Sequence, residues 1–396
     1  MQVLENTAIE ARRQALEIAL LEGEPFWRDM PFRVARPGWV DAYPDLDHAL
    51  AHLSEGELTH LLGDNRALIE WLSARVQSCR LEAALIDVPR QPVGAHRPDC
   101  RHVWGIPGRK LEQIEAFLDA IDTGAHEVLE WCSGKGHLGR LLSLRCGSSV
   151  TSLELQADLC ADGEWLAQRA GATRQQFIAA DAFAPDSAAL VAGRQAVALH
   201  ACGDLHRTLV SNAIAHGGQG LHVAPCCYYQ LGSASFTPNA AGSRLRLSRD
   251  DLRLAVTETV TAPAREIRTR DREAAWKLAF VAWREMSEGA PYKTFKPLPE
   301  AWLRLPFAAF MTQVCAREGI HAPSGKVLTE LEARGWERQR VMMRRSVVRL
   351  AYRRILELWL VCDLAVPLLH TGYRVAIREF CARKLTPRNL LLSAVR

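Results

Sequence analysis

The chain lacks an apolar run long enough to cross a bilayer. Its most apolar late stretch, Ile355 to Leu369, is interrupted by Glu357, Asp363 and Pro367 and falls short of the ~20 residues that a spanning helix needs. No secretory signal is visible, because Met1 to Glu24 scatters acids and arginines through an amphipathic helical pattern. The 11 cysteines show neither a C-x-x-C pair nor framework spacing, and an odd, unpatterned set suits a reducing compartment. Internal repeats and low-complexity segments are missing too, and lysine is scarce beside arginine. These absences argue against a membrane protein and against a disulfide-stapled secreted domain. The expectation is a cytoplasmic protein.

What is present is the material of a core. Hydrophobic residues make up 48% of 396 positions, enough for two or three globular domains. Charge is uneven along the chain. Residues 1–200 hold 19 Lys+Arg against 28 Asp+Glu, and residues 201–396 hold 30 against 17. The halves therefore carry −9 and +13, which make up the net +4. Arginine favours bidentate contacts with phosphate, so the basic half points to a polyanionic substrate, with a solvated basic surface as the ordinary alternative.

One stretch organises the rest: Val128-Leu129-Glu130-Trp131-Cys132-Ser133-Gly134-Lys135-Gly136-His137-Leu138-Gly139-Arg140. It reads as a strand, a glycine turn and a helix start. Gly134, Gly136 and Gly139 allow positive φ and close approach to backbone N–H groups, and the helix offers its positive end to a ligand. The G-x-G-x-x-G spacing suits a dinucleotide. Glu130, just before it, instead suits an ammonium group and would repel a pyrophosphate. S-adenosylmethionine carries such an ammonium and is the preferred cofactor.

In chain order, residues 1–100 read as a helical region, with a capping box at Ser54-Glu55-Gly56-Glu57 and prolines at Pro89, Pro92 and Pro98 marking a linker. Residues 101–232 alternate helix and strand. The second strand ends at Glu154, twenty positions after Gly134, where a carboxylate suits ribose hydroxyls. The third ends at Asp181, placed for an adenine amine. The fourth, Ala196 to Leu199, leads into His200-Ala201-Cys202-Gly203-Asp204, and the fifth, Leu221 to Ala224, leads into Pro225-Cys226-Cys227-Tyr228-Tyr229. Ligands in such parallel sheets bind beyond the strands' carboxyl ends. Residues 233–345 form an arginine-rich insertion in which Trp276, Trp302, Trp336, Tyr292 and Phe295 are candidates for base stacking or core. Residues 346–396 resume with a long apolar helix and a closing strand pair, Arg374 to Phe380 and Leu390 to Val395. That closing pair belongs to a methyltransferase sheet and not to a dinucleotide fold.

Three chemistries are open at the strand ends. In direct methyl transfer to oxygen or nitrogen, His200 or Asp204 orients or deprotonates the acceptor and Tyr228 stacks on a base. In a second, a thiolate from Cys202, Cys226 or Cys227 attacks a pyrimidine ring carbon. A metal held by His200 and these cysteines ranks last, because adjacent Cys226 and Cys227 suit one tetrahedral ion poorly, so no metal is expected.

These residues resemble the class I S-adenosylmethionine-dependent methyltransferases. Ser133-Gly134-Lys135-Gly136-His137-Leu138, Leu199-His200-Ala201-Cys202-Gly203-Asp204-Leu205, Pro225-Cys226-Cys227-Tyr228 and the closing Thr386-Pro387-Arg388-Asn389 are similar to the methyltransferase-like group related to the tRNA 2′-O-methylating enzyme. The resemblance covers about 105–235 and 345–396. It departs at Trp131-Cys132, where a glycine is usual, and at Tyr229, where a histidine is usual. It implies an α/β fold with a Rossmann-like, mostly parallel sheet closed by an antiparallel C-terminal strand. It implies that Glu130, Ser133, Gly134, Gly136, His137, Glu154, Asp181 and His200 bind the cofactor. His200, Asp204 and Tyr228 are then catalytic, and Cys202, Cys226, Cys227, Arg388 and Asn389 face the substrate. The expected acceptor is an RNA nucleotide of tRNA or rRNA, with a protein acceptor or a non-catalytic cofactor-binding module as alternatives.

Overall fold

A computed structural model describes residues 4–79, 81–92, 99–124, 126–258, 263–289, 292–294 and 296–396. Pro98 and Phe295 lie outside these residues. The chain forms two compact units, one of residues 1–21, 83–261 and 353–396, the other of 22–82 and 262–352. The limits expected at 100, 232 and 345 are thus redrawn. Helix α1 (Asn6–Glu22) belongs largely to the first unit, and the acidic early helices join the arginine-rich segment in the second. The physical reason is pairing across sequence distance: Arg345 Nε meets Asp47 Oδ1 at 2.8 Å and Arg344 meets Glu55 Oε1 at 2.8 Å.

An eight-stranded sheet forms the first unit. Its strands in chain order are β1 (Leu4–Glu5), β2 (Val128–Trp131), β3 (Val150–Glu154), β4 (Gln175–Ala179), β5 (Gln195–Cys202) and β6 (Gly220–Cys226). After a two-residue hairpin of β7 (Ser235–Phe236) and β8 (Leu247–Ser248) come β9 (Arg374–Glu379) and β10 (Leu390–Val395). The order across the sheet is β1-β9-β10-β6-β5-β2-β3-β4. Strands β2 to β6 pair in parallel, and β10 runs antiparallel between β6 and β9, with Leu392 opposite both Val223 and Ile377. A dinucleotide fold places its sixth strand directly beside its fifth. Here the reversed last strand is wedged between them, so the sheet is Rossmann-like, mostly parallel, and closed by an antiparallel strand.

Near-continuous apolar strands suit a sheet covered on both faces: all four residues of β2 and all seven of β6 are buried. One core gathers Phe117, Val128, Leu141, Val150, Val197, Ala224 and Leu391. The expected linker is in part a sheet edge, since Arg90 bridges Glu379 and Pro89 O accepts the Glu379 N–H at 2.8 Å. The long apolar helix expected from 346 is two helices, Lys326–Leu350 and Arg353–His370.

The second unit is helical. Ala264–Glu288 and Lys326–Leu350 pack around Trp276, Phe310, Met311 and Leu331. Trp276 is core, donating its indole N–H to Glu332 Oε1 at 3.2 Å, and is not available to a base.

Candidate active site

Beyond Trp131 the chain turns through Cys132 at φ 56° and Gly134 at φ 57° before the helix His137–Cys146. A Cβ on Gly134 would meet nothing within 4 Å, so bare backbone faces open space there. Gly139 serves packing instead. A Cβ would stand 2.5 Å from Glu130 Oε2, so only glycine lets this helix lie over β2. Glu130 is consequently buried and accepts the Ser152 hydroxyl at 2.6 Å. Burial pushes its carboxyl up to about 7, against the hydrogen bonds from Ser152 and the Gly139 N–H. Glu154 closes the loop from the next strand: Oε2 accepts the Gly134 N–H at 2.9 Å and Oε1 the Gln156 N–H at 3.1 Å.

A crevice of about 720 Å³ opens at these strand ends. It brings together Glu130, Ser133, Gly134 and His137 from the glycine turn, His200 and Cys202 from β5, Cys226 and Cys227 from β6, and Arg388 from the turn before β10. Three residues other than glycine have positive φ among the described residues, namely Cys132, His200 at 67° and Cys227 at 46°. All three line this crevice. A side chain held in that region costs roughly 1–3 kcal/mol, and such strain collects at functional sites. Cys132 thus stands where the sequence resemblance leads one to expect a glycine, and its φ lies in the region that favours glycine.

His200 is an extra residue in β5. The register with β6 shifts between Leu199 and Ala201, a bulge, so strand pairing continues to Cys202 opposite Cys226. Its Nε2 lies 3.1 Å from the Gln113 amide oxygen, and Nδ1 is buried without a hydrogen-bond partner. Burial and the Arg388 charge pull its pKa down to about 4, as burial does for His137, so both are neutral at pH 7. Cys202 Sγ is 3.4 Å from Cys226 Sγ. Hydrogen bonds from Cys202 and Cys226 hold the Cys227 thiol below its ordinary value, while Cys226 is raised by its two sulfur neighbours.

Several expected site residues stand elsewhere. Tyr228 is buried, edge-on to His206 at 5.6 Å, with its hydroxyl 3.4 Å from Pro225 O, so it offers no face to a base. Asp204 caps the neighbouring loop, accepting the Gly232 N–H at 2.6 Å, and is not on the crevice wall. Asn389 is buried, donating to Cys381 O at 2.8 Å and accepting from Arg354 at 3.0 Å. It fastens the turn and does not face substrate. Asp181 is exposed, its carboxylate taken by the Phe183 N–H at 2.9 Å. Gly136 caps the helix start at φ 62° against the Phe177 ring and does not line the crevice. Arg109, Lys110 and Gln113 line the crevice from the helix Gly108–Ala120 and were missed. The available signal was topological, since a helix feeding β2 starts at the strands' carboxyl end.

The arginines between 338 and 354 are mostly engaged. Arg345 is bidentate to Asp47, Arg344 is paired to Glu55 and Arg338 to Glu285, and Arg349 donates to Trp27 O at 2.9 Å. In the first unit Arg354 is buried between Glu357 and Glu379, each at 2.6 Å. None of these is free for phosphate. Within the second unit, a separate cavity of about 540 Å³ is lined by Arg265, Arg268, Arg272 and Arg304 together with Asp271, Glu300 and Trp336, and Arg304 is paired to Glu300.

Residues 109–234 match a family model described as a methyltransferase domain, a stretch that is less than half of the chain. Among solved structures, the glycopeptide N-methyltransferase MtfA complexed with S-adenosyl-L-methionine is 22% identical, covering 34% of this chain and 57% of that one, with a TM-score of 0.23. The N-terminal domain of EvdMO1 with SAH bound is 24% identical over 28% of this chain and 44% of that one, TM-score 0.23. Coclaurine N-methyltransferase bound to N-methylheliamine and SAH is 11% identical over 55% and 62%, TM-score 0.26. The chain spans about half the length of the first of these, and such TM-scores leave the fold to be read from the sheet itself. No curated protein matches the chain. Residues 109–234 carry a methyltransferase domain on a Rossmann-like sheet.

Proposed function

We propose that this chain transfers a methyl group from S-adenosylmethionine to an oxygen or nitrogen of an RNA nucleotide, in tRNA or rRNA. A methyltransferase domain on this type of sheet is an S-adenosylmethionine-dependent enzyme, and the fit of that cofactor rests on one observation. Open backbone at Gly134 is flanked by Glu130 and Glu154, carboxylates at the ends of adjacent strands. Glu154 would take the ribose hydroxyls and Glu130 the ammonium group. When bound, the cofactor supplies a sulfonium methyl carbon, which the acceptor's lone pair attacks as the carbon–sulfur bond breaks.

This chain's own residues place the acceptor. Neutral His200, its Nε2–H directed at Gln113, leaves Nδ1 unprotonated and unpartnered beneath the crevice wall, and the ring lines the crevice where an acceptor hydroxyl or amine would sit. Arg109, Lys110 and Arg388 bring positive charge to the crevice for a phosphate-bearing acceptor. RNA is further supported by the arginine cavity of the second unit, where Arg265 and Arg268 form no ion pair among the described residues and Trp336 offers a stacking face. Labelled methyl transfer tested against total RNA and total protein from an undermethylated extract decides the acceptor. Label in RNA is expected, and label confined to protein makes the acceptor a side chain.

A further inference from the structure

We propose that Cys202, Cys226 and Cys227 bind one zinc ion through three thiolates, leaving its fourth position open to the crevice. The sulfur atoms lie within 4.8 Å of one another, and all three residues line the crevice. Ligands on a tetrahedral zinc at ~2.3 Å stand about 3.8 Å apart. That spacing falls between the 3.4 Å separating Cys202 from Cys226 and the 4.8 Å outer limit. Sulfur ligands select soft ions, zinc above magnesium or calcium.

The adjacency of Cys226 and Cys227 counts against a shared ion only if the chain is extended there. Consecutive side chains of an ideal strand point to opposite faces. Cys227 instead has φ 46°, which brings its sulfur to the same side as that of Cys226. On the facing strand the bulge at His200, φ 67°, carries pairing one step further and sets Cys202 opposite Cys226. Two strained residues in neighbouring strands thus converge on one result, the gathering of three sulfurs. An ion shared by them repays that strain. The group contains no imidazole or carboxylate, so the fourth position is left to water or to the acceptor. On the methyl-transfer reading above, that position holds the acceptor's oxygen or nitrogen beside Arg388.

The test needs no acceptor and so stands apart from that reading. The full chain is purified under reducing conditions, loaded with zinc, freed of excess, and its metal measured by mass spectrometry. Cobalt(II) loading reports the ligands by absorption. One zinc per chain and thiolate-to-cobalt charge-transfer bands are expected. Both should be lost in Cys202→Ser, Cys226→Ser and Cys227→Ser and kept in Cys146→Ser, whose thiol is exposed elsewhere. If a serine variant fails to fold, competition of the wild-type chain with a chromophoric chelator still reads the site. Wild-type protein that takes up less than a tenth of an equivalent overturns the proposal. So does metal retained by all three serine variants, or a metal-free chain in which Cys202 and Cys226 are joined as a disulfide.

Discussion

At the scale of single residues, sequence spacing set Glu154 beside the glycine turn, with its carboxylate on the Gly134 and Gln156 N–H groups and off the crevice wall. Glu154 lies twenty positions after Gly134 because the first helical crossover has that length, and the structure closes the gap with a 2.9 Å hydrogen bond. Tyr228 and Asn389 were not legible. Burial of an aromatic after a strand depends on the backbone at Cys227, which no composition rule announces. Glu154→Ala should weaken S-adenosylmethionine binding about tenfold to a hundredfold, the ordinary effect of removing a charged hydrogen-bonding partner. Calorimetry that finds unchanged affinity removes Glu154 from the cofactor site. Glu130 adds a proton linkage. Its carboxyl is raised to about 7 by burial, so near pH 6 it is mostly protonated, and a bound ammonium would favour the ionised form. Cofactor affinity should therefore rise from pH 6 to 8, by at most about tenfold per unit, with net proton release. Calorimetry in two buffers of different ionisation enthalpy measures that release, and Glu130→Gln should abolish it.

At the scale of elements, alternating strand and helix located every core strand from β2 to β6 and the end of β3 at Glu154, but not the ends of β4, β5 and β6. β5 and β6 run on to Cys202 and Cys226, because a bulge and a register partner extend pairing past the apolar run. The closing helix was read as one, since hydrophobic periodicity continues across Ala351 and Tyr352, where it breaks. The same region holds charges that looked solvated and are buried. Arg354 joins Glu357 of its own helix to Glu379 of β9 and to Asn389 at the start of β10. Removing one partner of a buried pair leaves an uncompensated charge, at a cost of roughly 3–5 kcal/mol. Arg354→Met should lower stability by that order in urea unfolding. A change below about 1 kcal/mol would show that the network is solvated after all. Arg344→Ala with Arg345→Ala removes weaker pairs of the second unit, one to the exposed Glu55 and one to the partly buried Asp47, so the loss should be nearer the ~0–1 kcal/mol per pair of surface ion pairs. Their loss should lower stability there and leave the salt dependence of RNA binding alone.

At the scale of the whole molecule, the charge asymmetry of the sequence is largely cancelled within each unit. Residues 22–82 hold 6 Lys+Arg and 11 Asp+Glu, and 262–352 hold 17 and 10. The second unit therefore carries only +2, which leaves +2 for the first out of +4. Sequence halves do not reveal this, because acidic and basic segments two hundred residues apart fold together. The pH response of stability also belongs to this scale. Burial lowers His206 and His222 to about 4, as it does His137 and His200. The unfolded chain then binds protons that the folded chain refuses, so stability should fall as pH drops from 6.5 toward 4. Each full proton contributes about 1.4 kcal/mol per pH unit. Glu130, raised to about 7, and Glu357, Asp363 and Asp271, whose folded values are also raised by burial, act oppositely. The histidine contribution is therefore read as the difference in pH slope between the wild type and His206→Gln, and identical slopes would show that histidine to be solvated. The last prediction returns to the acceptor. With net charge small and Arg338, Arg344, Arg345 and Arg354 paired, any RNA affinity must come from other local groups, and the cavity of the second unit supplies Arg265 and Arg268. Each phosphate contact adds roughly 0.7–0.9 to the slope of log affinity against log salt. Replacing both by alanine should reduce that slope by up to about two units and weaken all sequences alike. Trp336→Ala should lose about 1–3 kcal/mol of stacking with little change in slope. If structured RNA binds no better than millimolar at low salt, and the double alanine changes nothing, the cavity is not a nucleic-acid site and the methyl acceptor is sought among proteins.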